Sequence, residues 1–470
     1  MRTLNEKDLF DILADEERED HNNLIFVISQ STNYDLSKVS SFNRFSNCKF
    51  EGERIDFSNW SVTADSDLQP SFHFKNCELF NAIYFKDCFV QELNFSEISG
   101  TIKNLHLASM KIGFFHFQGE KKPEQQIFDE INLTINNCEI EYNIDFLNLK
   151  SKGNLLILES KIELLKIHNS TFERIDIDKN KFKNEFQFTS NVMRNSYFKN
   201  NVFQKSNFSL TDFGLDSEFS SNDFEGTALF EKLKNENRTR VKFKSCNFFK
   251  YTYFNNSKLY ELNIETSKFQ EIVSFQELEL NSVIIDKTIF EKPAFFDDIQ
   301  IHNFSKCNKR TLRNIKQQLL RADNKIDYDN FRAHELSSYK EELKIKLKRK
   351  KGYNRRKIRR DLSILKVNTF FSNNGTDWVR ALKRTIFVAV FFYSILYIIY
   401  NSSRQFDLSG YNEYLTGLFR YFLLTDFHNP FVVDKVYFLS IWQWIPFVIG
   451  KIFIAIGIYE ILVSFRKFRK

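Results

Sequence analysis

The chain has 470 residues and a formal net charge of +7, and 42% of its residues are hydrophobic, enough to fill a large core. It contains 54 Phe but only 13 Gly and 5 Pro, which excludes collagen and low-complexity linkers and disfavours Gly-rich phosphate loops. The Phe content predicts a ladder of aromatic side chains along a core. Residues 1–310 carry a net charge of −9 and residues 311–470 a net charge of +16, so we expect a composite protein of roughly two to four domains.

Residues 1–39 are predicted to form an acidic capping segment. The first eight residues contain no apolar stretch of the kind found in signal peptides, so export by that route is not expected. Within Asn5–Asp20, apolar residues recur at helical spacing: Leu4, Leu9, Phe10 and Leu13. This pattern favours a helix that covers the open end of the next domain over a helix that binds a partner.

Residues 40–309 contain an internal repeat. A six-residue phrase that begins and ends with a large apolar residue, such as Phe45–Phe50 or Phe243–Phe248, recurs along this region. From Phe254 onward it recurs at steps of 10 and 11 residues. Each step contains a five-residue period of one small or apolar residue, a spacer, a large apolar residue and two polar residues. This period is typical of a solenoid in which short strands end in corners and inward residues stack on their equivalents one coil later.

The cysteines follow the same register and show no CxxC spacing, which gives no support for a zinc or redox site. Four of them lie two residues before a large apolar residue: Cys48, Cys88, Cys138 and Cys246. They therefore occupy the small inward position that Ser257 and Ser267 occupy elsewhere. We expect reduced thiols within the core, with a redox role as the alternative.

On these repeats, roughly residues 40–305 resemble the pentapeptide-repeat family. Its members form right-handed quadrilateral β-helices of about 20 residues per coil, so the resemblance implies a rod of about 12 coils and roughly 60 Å. This sequence departs from the family in carrying many Phe and Ile where Ala or Leu is usual. Breaks in the period near 119–126 and 229–240 predict looped-out insertions. Some family members mimic DNA with a strongly acidic surface, which the net charge of −4 over residues 40–310 disfavours here.

Residues 310–377 are predicted to form a helical connector, with apolar residues at helical spacing. Residues 311–335 resemble the connector between pentapeptide repeats and a two-helix pore in bacterial channel-like proteins. The connector includes a basic neck: Lys346, Lys348, Arg349, Lys350, Lys351, Arg355, Arg356, Lys357, Arg359 and Arg360. Basic clusters beside a membrane usually bind anionic lipid. The alternative is a positive vestibule that binds a nucleotide or single-stranded nucleic acid, although Tyr353 is its sole aromatic residue for stacking.

Residues 378–470 are predicted to form a transmembrane hairpin. Thr385–Tyr400 and Val436–Phe465 are apolar runs long enough to cross a bilayer when their flanks contribute, and a buried soluble helix is the alternative. Basic residues are dense before the first run and after the second but sparse in 401–435. The positive-inside rule therefore predicts that the solenoid and both termini lie in the cytoplasm. Free cysteines agree with that compartment. The expected location is the cell inner membrane.

Two charged residues lie within the second apolar run, Lys451 near its middle and Glu460 nearer its end. A charge at the bilayer centre normally faces a water-filled path or a partner, so both are candidate pore-lining residues. For Lys451 the alternative is snorkelling or pairing with a neighbouring subunit. Nine helical residues separate the two, so they point in different directions and an ion pair between them is not expected. Gly450 and Gly457 predict close helix packing.

Between the two runs, Tyr411–Leu424 is amphipathic and is a candidate re-entrant pore segment. The order span, short helix, loop, span resembles the pore unit of two-transmembrane ion channels, which implies an oligomer, expected to be a homo-tetramer. The potassium-filter phrase TxGYG is absent and residues 418–449 contain no Gly, so potassium selection by carbonyl rings is not expected. Thr425, Asp426 and Asn429 are candidate pore-lining residues instead, with an exposed extracytoplasmic turn as the alternative.

The predicted fold is thus a β-solenoid, then an α-helical connector and a two-helix transmembrane domain. The sequence contains no P-loop, GxGxxG, HExxH or nucleophile-elbow motif, so neither an enzyme nor a cofactor or metal site is expected. The architecture resembles the transmembrane effectors of bacterial anti-phage systems, such as Hailong-type effectors. That resemblance implies a toxic ion channel gated by a cytosolic sensing domain and its ligand. The alternative is a non-conducting, membrane-anchored scaffold whose solenoid binds a protein partner.

Overall fold

The computed structural model describes residues 2–14, 20–28, 32–35, 42–59, 71–79, 82–98, 104–119, 131–236, 238–349, 353–401, 411–432 and 436–465. The chain divides into two compact units, residues 1–307 and residues 308–470.

The first unit is a parallel β-solenoid. One face is a sheet of 13 parallel strands that follow one another coil by coil. Its strands are Thr32–Asp35, Arg54–Ser58, Ala82–Lys86, Asn104–Ala108, Asn132–Asn136, Asn154–Leu158, Thr171–Asp178, Val192–Lys199, Asp216–Ser220, Arg240–Lys244, Lys258–Glu265, Glu279–Asp286 and Gln300–Ile301.

The strands between them form a second parallel sheet. They are Asp20–Asn22, Phe42–Ser46, Ser71–Lys75, Phe89–Ser96, Lys111–Gln118, Glu139–Leu147, Lys161–His168, Lys181–Thr189, Val202–Asn207, Asp223–Phe224, Ala228–Leu229, Asn247–Phe248, Thr252–Tyr253, Lys268–Phe269, Val273–Ser274, Ile289–Phe290 and Ala294–Phe295. The longer strands in its middle are irregular in register, and from Val202–Asn207 onward the sheet divides into two ladders of short strands. A third, four-stranded sheet consists of Arg2–Leu4, Leu24–Ile28, Lys49–Gly52 and Glu78–Leu79.

The strand register confirms the predicted solenoid and its coil length. Phe198, Phe219, Phe243, Ile264 and Ile285 are successive Cα partners across the first face. Their numbering gives steps of 21, 24, 21 and 21 residues. The predicted insertion near 229–240 is therefore short, about three residues, whereas residues 120–126 of the other predicted insertion lie outside the described residues.

The corners explain why Asn, Asp and Ser recur in the repeat. Single corner residues have a left-handed backbone, as at Asn47, Asn137 and Asn200, where φ lies between 53° and 54°. Asn is one of the few residues with a side chain that adopt this conformation readily. The next residue points inward, so a short side chain there can bond the preceding coil. Asn201 Oδ1, for example, accepts the backbone N–H of Asn180 at 2.9 Å.

The small and large residues that were predicted to point inward form the core. All six cysteines are free and buried, and burial raises the pKa of the Cys138 thiol to about 11 and that of Cys246 to about 12. The predicted aromatic ladder is confirmed as columns of stacked rings. One column has centroid separations of 4.4 to 5.3 Å and consists of Phe182, Phe203, Phe224, Phe248, Phe269 and Phe290.

The N-terminal segment contains both a helix and strands. Helix α1, Glu6–Leu13, is capped by Asn5 and buries Leu9 and Leu13. Strands within 20–28 already pair with later coils, so solenoid pairing begins within the segment that the sequence assigns to a cap.

The second unit is helical: α2 Lys309–Arg321, α3 Lys325–Arg349, α4 Tyr353–Ser372, α5 Trp378–Asn401, α6 Tyr411–Phe422 and α7 Ile441–Phe465. Of these, α5 and α7 are long and apolar enough to cross a membrane. They pack antiparallel, since the Trp378 ring lies 5.1 Å from the Phe465 ring and Phe392 lies 5.8 Å from Phe453. A Cβ on Gly457 would lie 2.1 Å from Thr385 Oγ1, so the close packing predicted there is confirmed.

Candidate functional site

Helix α6 packs against the middle of the α5–α7 hairpin. Tyr393 and Tyr421 are fully buried at this contact. The Tyr393 hydroxyl donates to the Tyr414 carbonyl at 2.8 Å, and the Tyr421 hydroxyl donates to the Phe447 carbonyl at 3.4 Å. A Cβ on Gly450 would lie 1.8 Å from the Tyr421 hydroxyl oxygen, so the absence of a side chain at Gly450 admits α6.

The contacts of α6 define its depth in the hairpin. Near its start, Tyr414 lies 5.1 Å, ring to ring, from Tyr397, close to the end of α5. Just beyond its last turn, the Leu423 carbonyl accepts a hydrogen bond from Lys451. Lys451 lies ten residues into α7, about 15 Å along the axis at 1.5 Å per residue. That is about half of a 30 Å hydrocarbon core, so α6 ends near mid-depth if α5 and α7 span a bilayer.

The chain then returns to the end from which α6 entered. Arg420 donates to the Val432 carbonyl at 2.8 Å, and the Asn429 N–H donates to the Val436 carbonyl at 2.8 Å. The Phe431 ring stacks 4.9 Å from Tyr400, at the end of α5. Helix α6 and residues 423–432 therefore begin and finish at the same end of the hairpin, beside the C-terminal end of α5.

Lys451 has its hydrogen-bond partner within the chain. It is only 5% exposed, and its ammonium lies over the rings of Tyr421 at 5.3 Å and Phe447 at 5.2 Å. Its hydrogen bond to Leu423 joins a cation to the C-terminal end of α6, where unpaired carbonyls and the helix dipole are both negative. Among the described residues, Lys451 thus binds the C-terminal end of α6.

Glu460 is also buried on α7, but it lies nine residues after Lys451 and so points to a different side of the helix. It is 4% exposed, and its carboxylate accepts a hydrogen bond from the Ser372 hydroxyl, which in turn accepts the Gly375 N–H at 2.7 Å. The two charged residues of α7 therefore have different partners. Glu460 joins α7 to the turn between α4 and α5.

The turn between α4 and α5 combines a left-handed backbone with a helix cap. Asn373, Asn374 and Gly375 all have positive φ. Asp377 caps α5, because its Oδ1 accepts the Arg380 N–H at 2.9 Å.

The three candidate residues of the loop differ in their surroundings. Thr425 is exposed, and the Asp426 side chain is 29% exposed. Asp426 Oδ1 lies 2.9 Å from His428 Nδ1 and accepts the His428 N–H at 3.0 Å. Asn429 is buried and its Oδ1 accepts the Phe431 N–H at 3.0 Å, so it braces the turn. The sequence reasoning did not identify His428, although its position two residues after an Asp was the available signal.

The basic neck lies at one end of the α3–α4 pair, where Leu343 packs with Ile358 and Leu362. Its described side chains are exposed: Lys346, Lys348, Arg355, Arg356, Lys357, Arg359 and Arg360. The side chains of Arg349, Lys350 and Lys351 lie outside the described residues. Arg360 lies 12 residues from Ser372, about 18 Å along α4, so the exposed cations are distant from the turn that leads into α5.

Comparison with protein-family models, with curated proteins and with solved structures finds no match for this chain. The assignment of fold and site therefore depends on the residues and contacts described above. They define a β-solenoid protein with two helices able to cross a membrane.

Proposed function

We propose that this protein is an oligomeric membrane pore in which residues 423–429 line the ion path and the solenoid is a cytoplasmic sensing domain. The observation that carries this proposal is the depth of the polar loop. Thr425 and Asp426 are accessible on the surface of the unit at the level where α6 ends, near the middle of α7.

Lipid tails cannot form hydrogen bonds with the polar groups of such a loop. Irregular backbone is tolerated at membrane depth only where protein covers it or water reaches it, and a carboxylate there is costly for the same reason. Two spanning helices do not enclose a channel, so a pore requires several copies around an axis. A tetramer that turns residues 423–429 toward the axis would satisfy both requirements.

The loop also favours one sign of permeant ion. Lys451 interacts electrostatically with Asp426, but its ammonium is buried against the Leu423 carbonyl, whereas the Asp426 carboxylate is partly accessible. A ring of carboxylates attracts cations. The proposed pore therefore conducts cations in preference to anions.

For the orientation, we propose a hairpin in the cell inner membrane with the solenoid and both termini in the cytoplasm. The end where α5 begins and α7 ends carries Arg380, Lys383 and Arg384, and the positive-inside rule favours the cytoplasm for that end. The exposed cations of the neck would then face cytoplasmic anions, either anionic lipid or a nucleotide or nucleic-acid regulator. A toxic role in anti-phage defence belongs to the same proposal, through the resemblance in architecture, and predicts growth arrest when an open pore is expressed in bacteria.

Ion flux in liposomes tests the proposal. The full chain and a variant lacking residues 1–307 are reconstituted, because a closed channel is silent and the truncation removes the proposed sensing domain. We expect cation flux in at least one of them and a reduced cation preference for Asp426→Asn. The matched control is Asp323→Asn, a largely exposed carboxylate on the connector. Absence of flux from both assembled proteins would contradict the proposal, as would an Asp426→Asn pore with unchanged selectivity.

A membrane-anchored scaffold is the second candidate, and one observation favours it. Lys451 and Glu460 are both satisfied by groups of their own chain, so neither requires a water-filled path. In a scaffold, the loop would be covered by neighbouring protein, and the liposomes would stay sealed.

A further inference from the structure

A cleft of about 600 Å³ opens on the solenoid beside its 24-residue coil. Its inner wall includes the buried side chains of Leu259 and Leu280, and its rim includes Lys232, Lys234 and His302. The regular ladder continues to Lys234, whose N–H donates to the Thr211 carbonyl at 3.0 Å, and it resumes at Arg240, three residues late. The volume lies within the range of small-molecule sites.

Basic groups collect around this cleft, although the solenoid as a whole is slightly acidic. The Tyr260 ring in its wall lies beneath Arg240 at 5.5 Å and Lys306 at 5.7 Å. Lys232, Arg240 and Lys306 have no ion-pair partner among the described residues. Because no carboxylate pairs with these three cations among the described residues, a bound anion would gain favourable electrostatic interactions here.

The acidic groups of the cleft neutralise only part of this charge. Glu279 lies 2.9 Å from Lys258 and 3.1 Å from His302, and hydrogen bonds from these two groups hold the pKa of Glu279 below its usual value. Glu236 lies 4.0 Å from Lys234. These pairs leave the cations beside Tyr260 and Lys232 unmatched.

We propose that this cleft binds a compact oxyanion with at least two negative charges, of the phosphate or carboxylate class. Lys232 and Lys234 would hold it at the rim. The site lies in the last coils of the solenoid, a few residues before the chain enters α2 at Lys309. The proposal concerns binding only and does not depend on the pore, so either can fail without the other.

Calorimetric titration of the full chain in detergent tests this inference, with inorganic pyrophosphate and citrate as the two probes. We expect saturable binding of at least one probe, and the pattern identifies the class: pyrophosphate alone indicates phosphate, citrate alone indicates carboxylate, and both indicate a general oxyanion site. Because one charge-assisted hydrogen bond contributes about 1.5 kcal/mol, Lys232→Ala should raise the Kd about tenfold.

Two variants complete the test. Lys234→Ala should weaken binding in the same direction as Lys232→Ala, whereas Lys250→Ala, an exposed lysine of the solenoid outside the cleft, should leave the Kd unchanged. Binding of neither probe would overturn the proposal. Equal weakening by Lys250→Ala would also overturn it, because that result indicates attraction to overall charge rather than to this cleft.

Discussion

Replacing Lys451 with Met should loosen the packing of α6 against α7. The substitution keeps most of the side-chain volume but removes the ammonium that binds the Leu423 carbonyl and lies over the Tyr421 and Phe447 rings. A hydrogen bond to a charged group contributes about 1.5 to 3 kcal/mol, and relief from burying the charge offsets part of that loss. A net destabilisation of about 2 kcal/mol corresponds to about 30-fold more frequent opening of the α6–α7 contact.

Hydrogen exchange in nanodiscs measures this opening directly. We expect protection of amides in the last turn of α6, near Tyr421, to fall by about that factor, while solenoid amides keep their protection. The control is Ile452→Leu, on the neighbouring position of α7, which is 54% exposed and makes no such hydrogen bond. Unchanged α6 protection in Lys451→Met, together with altered ion selectivity, would refute this reasoning and place Lys451 in the ion path.

Three further predictions concern the turn and the solenoid. Ser372→Ala removes a hydroxyl donor from the buried Glu460 carboxylate and should destabilise the helical unit by about 1 to 2 kcal/mol, seen as a lower thermal midpoint in detergent, with Ser372→Thr nearer to wild type. Phe224→Ala should cost about 3 to 5 kcal/mol in denaturant unfolding, because it leaves a cavity in a stacked column, whereas Tyr142→Ala, half exposed, should cost less than about 1 kcal/mol. Burial raises the pKa of Cys246 to about 12 from 9.0, so the unfolded state loses this proton first; stability should fall as pH rises from about 9 towards 12, and Cys246→Ser should reduce that slope.

The solenoid is predictable from sequence because its determinants are local and repeated. Three features recur along the coils: a residue such as Asn or Ser at a left-handed corner, a small inward residue such as Cys246, and a large inward residue such as Phe248. The repetition makes the pattern recognisable in the sequence. The two apolar helices are predictable for a similar reason, since length and composition suffice.

The arrangement of the candidate site is less accessible to sequence reasoning. The partner of Lys451 is the carbonyl of Leu423, 28 residues away. A backbone carbonyl is present at every residue, so the sequence does not identify this one as the partner. From sequence, the expected partner was therefore water or a neighbouring subunit. Likewise, Gly450 predicts close packing without indicating that its neighbour is Tyr421. The cleft around Tyr260 depends on a three-residue lengthening of one coil, which sequence indicates only as a break in the period.

Chemical accessibility of the loop tests the central claim most directly, because it does not require an open channel. All six native cysteines are buried, so an introduced thiol should be the main reactive one. We predict that Thr425→Cys reacts with a small hydrophilic thiol reagent in the membrane-embedded oligomer, whereas Ile452→Cys, exposed on the apolar surface of α7, does not. Reaction at 425 alone would show that water reaches the loop, as the proposed pore requires. A Thr425→Cys thiol as unreactive as that of Ile452→Cys would contradict the pore and favour a sealed, membrane-anchored scaffold.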